Sequence, residues 1–158
     1  MAFYEIYRIQ EDVAHEFFGK EFKIYQLLEE CSRSVATHRL LLEKQVHYIT
    51  ESFSMDDLVE HLCAFSNHIS MDKTHVRRMM FQTNEETGLT TLTIDANVLS
   101  MSSEGCFSGE MTFFEALRAY DGYFFASNYS EQQYGWLKPI RVINQLHSRD
   151  SIAPSQWI

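Results

Sequence analysis

The chain has 158 residues, 45% of them apolar and including 12 Phe and 8 Tyr, which is enough to bury one domain core and excludes a disordered tail protein. Thirteen basic against 22 acidic side chains leave a net charge of -9. That balance speaks against a phosphate-tracking surface, because nonspecific nucleic-acid affinity comes from Lys and Arg releasing counterions, so any effect on DNA is expected to run through another protein.

Tyr4, Ile6 and Arg8 alternate with Glu5, Tyr7 and Ile9, and this period of two predicts a strand. From Glu11 the spacing turns helical, and Gly19 suits a C-terminal stop. At about 100° per residue, Val13 and Phe17 share one line of this helix and Ala14 and Phe18 the next, an arc of about 140°. One core contact needs less, so one of the two lines is expected to face outward. Ile24, Leu27, Leu28 and Cys31 predict a second helix over about 21–31. A third starts after Ser34, with Leu42, Val46 and Ile49 on one side and Glu43, Lys44 and Gln45 more outward. Its end is ambiguous, since residues 46–50 read equally as helix or as extended chain. Ser54 with Asp57 is a capping-box-like start to a fourth helix, whose core stripe is Leu58, Leu62 and Phe65.

The character then changes. Residues 75–82 and 89–95 are strand-like and separated by Asn-Glu-Glu-Thr-Gly, which predicts a hairpin continued as a meander by 98–102. Thr112 with Glu115 reads as a second capping box, opening a helix through Phe113, Leu117 and Tyr120 that stops at Asp121-Gly122. Residues 123–127 read as a last buried strand. Residues 134–139 form an aromatic loop, in which Tyr134 and Trp136 serve either as a lid on the core or as an interface anchor. The expectation is one α+β domain over 1–144, a mainly antiparallel sheet packed with several helices, followed by a flexible tail over 145–158.

No GxGxxG, GxxxxGK[ST], HExxH or GxSxG pattern occurs, so no phosphate-binding or catalytic signature supports an enzyme, and no cofactor is expected. His61, His68 and His75 recur every seven residues beside Cys63, but ligands on one helix need spacings of three or four, so no metal site is expected. Cys31, Cys63 and Cys106 imply neither a disulfide framework nor a thiolate zinc site, and the first two fit core positions of helices. Asp56, Asp57 and Glu60 suit the positive end of a helix dipole. Glu85 and Glu86 belong to the hairpin tip, and Phe113, Phe114, Phe124 and Phe125 have the spacing of packed core. There is no signal-peptide h-region and no apolar run near the ~20 residues that span a bilayer, so the chain reads as cytoplasmic.

Taken together, YRIQEDVAHEFFGKE at the start, EKQVHYIT at 43–50, TFFEALRAYDGYFFA at 112–126 and YGWLKP at 134–139 resemble the sporulation inhibitor of replication family, SirA. Residues 51–75 and the tail beyond Pro139 match poorly. The resemblance implies a non-enzymatic protein of endospore-forming bacteria that binds the N-terminal domain (domain I) of the replication initiator DnaA as a one-to-one heterodimer and blocks new rounds of initiation. It implies a cytoplasmic location, with access to the origin or replisome through DnaA. The partner-binding positions it carries over are Val13, Phe17, Gln45 and Pro139, with Ala14 and Tyr48 adjacent by helical spacing. On this reading Val13 and Phe17 form the outward line, and Ala14 and Phe18 face the core. The position matching Val13 is aromatic in a member of the family, which makes Phe17 the stronger anchor here. Two other classes are weighed against it: a small transferase-like enzyme using Cys106 or a His, which needs a deep pocket of convergent polar groups, and a homodimerising module built on the same helix.

Overall fold

The computed structural model describes residues 2–72, 79–85, 88–95, 97–104 and 107–138. In chain order they form β1 (Ala2–Arg8), α1 (Glu11–Glu16), α2 (Glu21–Arg33), α3 (Ala36–Ile49), α4 (Met55–Phe65), β2 (Ile69–Asp72), β3 (Met79–Glu85), β4 (Gly88–Asp95), β5 (Val98–Glu104), α5 (Phe107–Tyr120), β6 (Phe124–Asn128) and β7 (Gln133–Trp136). The strands make one antiparallel sheet in the order β2-β3-β4-β5-β1-β6-β7. The α+β class is therefore as expected, and the tail over 145–158 lies outside the described residues.

β1 sits inside the sheet, with Ile6 opposite Leu99 of β5 on one side and Ala126 of β6 on the other. Because successive strand residues point to opposite faces, Tyr4 and Ile6 enter one core while Tyr7 enters a second. The first core holds Leu58 and Leu62 of α4 and Phe113, Phe114 and Leu117 of α5 against Leu92, Leu99, Met101 and Phe124. On the opposite face, Ile9, Val13, Ala14, Ile24, Leu28 and Val46 pack on Phe125 and Trp136. One sheet thus carries two helical layers, α4 and α5 on one face and α1 to α3 on the other.

Four predicted elements differ. α1 ends at Glu16, and Phe17 and Phe18 belong to the turn that follows. There the Phe18 amide donates to the His15 carbonyl at 3.4 Å, and Gly19 takes φ +79°, the left-handed conformation that reverses the chain into α2. α5 begins at Phe107, five residues before Thr112, because a Thr–Glu spacing of three also occurs one turn apart inside any helix. β2 is a strand in a stretch given no element from its sequence, and β7 is a strand within the expected aromatic loop. At the side chains, Cys63 is exposed and Phe65 is 39% exposed, because α4 turns only the Leu58 and Leu62 side of its stripe inward. The ambiguous end of α3 is helical to Ile49, Ser54 Oγ accepts the Asp57 amide at 3.3 Å, and Phe113, Phe114, Phe124 and Phe125 are all core, while residues 75–78 of the predicted strand 75–82 lie outside the described residues and β3 is described from Met79. Glu86 of the hairpin tip and Cys106 lie outside the described residues.

Candidate protein-docking face

Residues far apart in sequence meet where β1 runs into α1. The Gln10 amide donates to the Ile49 carbonyl at 2.9 Å, its side-chain amide donates to the Thr50 carbonyl at 3.3 Å, and Ile9 bridges Thr50. The Ile9 amide donates to the Tyr123 carbonyl at 2.9 Å. α1 is thereby clamped against the C-terminal end of α3 and the start of β6.

That seat corrects the expected division of α1. Val13 is 8% exposed and Ala14 0%, so neither side chain forms an outward line. A six-residue helix lodged against both a sheet and the α2–α3 pair is covered on more than one side, which periodicity alone does not register. Phe17 and Phe18 are both half-buried and pack on the rim of the same core. Of the first segment's four candidates, only these two rings reach the surface.

On α3, Leu42 and Val46 point inward, and the helical turn then carries Gln45 and Tyr48 to an exposed flank. Tyr48 is 77% exposed, and Leu41, one turn before Gln45, is 55% exposed, so the three make an i, i+4, i+7 line with an amide in its middle. Leu41 was not singled out from sequence. Its signal is helical spacing, since Leu41 lies four residues before Gln45 and seven before Tyr48. Pro139 lies outside the described residues, whereas Leu137, two residues before it, is buried and its amide donates to the Phe124 carbonyl at 3.0 Å.

Trp136 is a core lid and not an anchor: it is 1% exposed, meets Phe125 edge-on at 5.1 Å, and donates from its indole N–H to Glu21 Oε1 at 3.4 Å. Glu21 is buried as well and accepts the Gly19 amide at 2.9 Å, which ties the α1–α2 turn to β7. Next to the face, His15 Nε2 lies 3.2 Å from the Tyr123 hydroxyl, whose pKa is raised by burial and by nearby Glu11.

Nucleophilic chemistry finds little support in these groups. Burial and the neighbouring Glu43 push the Cys31 thiol up, away from the thiolate a nucleophile needs. His61 Nε2 is bonded to the Ala116 carbonyl at 2.7 Å, and among the described residues no group of three metal-ligating side chains converges. Among the described residues, α3 exposes the line Leu41, Gln45 and Tyr48, and the turn after α1 carries the partly buried rings of Phe17 and Phe18.

The described residues thus define a small α+β protein built on one seven-stranded antiparallel sheet. The family model described as sporulation inhibitor of replication protein SirA matches residues 2–141, and the chain belongs to that family. It is also similar to the sporulation inhibitor of replication protein SirA of Bacillus subtilis (strain 168), with 24% identity over 147 residues that cover 89% of this chain and 96% of that protein. The family's name is that of a regulatory inhibitor acting on replication during sporulation.

Proposed function

We propose that this protein inhibits initiation of DNA replication in sporulating cells by binding domain I of the initiator DnaA, one molecule to one, through the α1–α3 face. The observation that carries this reading is the exposed Gln45–Tyr48 flank of α3, whose C-terminal end is hydrogen-bonded to the start of α1 through the Gln10 amide and the Ile49 carbonyl. Phe17 and Tyr48 fill an apolar groove on the initiator, Gln45 supplies a polar contact at its margin, and Pro139 borders it. Val13 and Ala14 act from beneath, setting the height of the Phe17 turn. Occupying the groove denies it to proteins that assemble or load the initiation complex. The net charge of -9 speeds encounter with a basic region of the partner. The protein works in the cytoplasm and reaches the origin through DnaA; none of the helices among the described residues is long and apolar enough to cross a membrane.

Calorimetric titration of isolated DnaA domain I with the Phe17→Ala, Gln45→Ala and Tyr48→Ala variants tests the proposal. Each aromatic truncation is expected to weaken binding tenfold or more, and Gln45→Ala by less. Wild-type affinity in all three folded variants would remove this face from the mechanism.

A further inference from the structure

Leu41 and Tyr48 leave a strip of apolar surface in water along α3. A second copy is poorly suited to cover it, since each copy carries a net charge of -9 and the two repel. The charge is unevenly divided along the chain. Residues 1–138 hold 11 basic against 21 acidic side chains, whereas residues 139–158 hold Arg141 and Arg149 against Asp150 alone. By its side chains the C-terminal segment is basic on an acidic body.

That segment also starts close to the strip. A Cβ at Gly122 would lie 3.7 Å from Lys138 Cδ, so the last described residue rests beside the start of β6. From there the Tyr123 carbonyl accepts the Ile9 amide at 2.9 Å, and the next amide, of Gln10, donates to the carbonyl of Ile49, the neighbour of Tyr48. At this junction α1 exposes Glu11, Asp12 and Glu16, with His15 as the one basic side chain on the same helix. At ~3.3 Å per extended residue, Arg141 lies within about 10 Å of Lys138 and so within reach of those carboxylates. Ile140, Val142, Ile143 and Leu146 leave by the same exit. Residues 139–146 can extend to about 26 Å, against about 10 Å of helix between Leu41 and Tyr48, so their length suffices. Tethering raises the local concentration of such a segment to about millimolar, and a few weak contacts are then enough to hold it.

We infer that residues 140–146 of the same chain lie over the Leu41–Gln45–Tyr48 line while no partner is bound, with Arg141 against the carboxylates of α1, and that a partner on this face displaces them. The displacement rests on the docking reading above; the cover does not. Amide spectra of the full-length, nitrogen-15-labelled protein without partner test the cover, with wild type compared to Ile143→Ser/Leu146→Ser and to Arg141→Glu. Both variants are expected to move the amides of Leu41, Gln45 and Tyr48 in one common direction and to leave those of Leu62 and Phe113 in place. The charge reversal removes no apolar side chain, so it keeps the test decisive if the serine variant alters the fold. Shifts confined to residues 139–158 in both variants would overturn the cover. So would flank shifts in the wild type that grow with protein concentration, which assign the face to a second copy. A face covered about two-thirds of the time loses about threefold in apparent affinity, and both variants should regain that factor in a titration with DnaA domain I. Flank shifts with unchanged affinity would keep the cover and count against the docking reading instead.

Discussion

Glu110 is a buried carboxyl in the first turn of α5, and burial raises its pKa despite hydrogen bonds from Ser103 and Tyr4 that favour the ionised form. A carboxyl raised in this way favours the folded state while it is protonated. Its contribution is complete below the unfolded-state value of ~4.3 and is lost as pH climbs through the folded-state value. Wild-type protein is therefore expected to lose part of its stability over that rise, and Glu110→Gln to flatten the loss and to be the more stable of the two at neutral pH. Urea midpoints measured for both proteins from pH 4 to 7 check the sign. Tyr48 is the opposite case. Exposed as it is, its replacement by Ala should move stability by no more than about 0.5 kcal/mol, so a loss of partner affinity in that variant would report a lost contact and not a damaged fold. Paired denaturation and binding measurements on one preparation separate the two effects.

At the scale of elements, the turn between α1 and α2 depends on one backbone conformation. A Cβ at Gly19 would meet nothing within 4 Å, so the cost of Gly19→Ala is conformational and not steric: about 1 kcal/mol from φ +79°, with Gly19→Asn costing less. Removing the cap in Ser54→Ala should likewise cost about 1 kcal/mol, and thermal melts of the three variants rank them. These ends were readable in the sequence because a cap or a left-handed glycine is a local chemical requirement. So was β1, whose alternation is long enough to count. β2 was not: in Ile69-Ser70-Met71-Asp72 two apolar residues are too few to establish a period, and the strand exists because β3 lies beside it. β7 hid for a similar reason, as Tyr134 and Trp136 look alike in a loop and on an edge strand, and only pairing with Phe125 to Asn128 distinguishes them. In the docking face, the exposure of Gln45 and Tyr48 follows from Leu42 and Val46 pointing inward, which helical spacing conveys. The burial of Val13 follows from α2, α3 and the sheet closing around α1, and no pattern within α1 contains that information.

At the scale of the molecule, two cores on opposite faces of one sheet assign separate tasks. Leu62→Ala and Leu28→Ala should both cost about 2–5 kcal/mol, since each truncates a fully buried side chain. Only Leu28→Ala loosens the layer beneath Phe17, so it alone is expected to weaken partner binding among molecules that remain folded; titrations at a temperature where both variants are folded check this. The place of β1 has a further consequence in time. Its partners, residues 98–103 and 124–127, are synthesised long after it. Until the ribosome, at ~5–20 residues per second, has added them, β1 has both edges unpaired, whereas the α2–α3 pair and the β2–β5 meander are built from near neighbours. The Ile9–Tyr123 hydrogen bond that helps seat α1 closes late as well. On the proposed mechanism, a nascent chain is then expected to bind no partner until the sheet is nearly complete, so that the delay between translation and inhibition is set by the last strands to leave the ribosome.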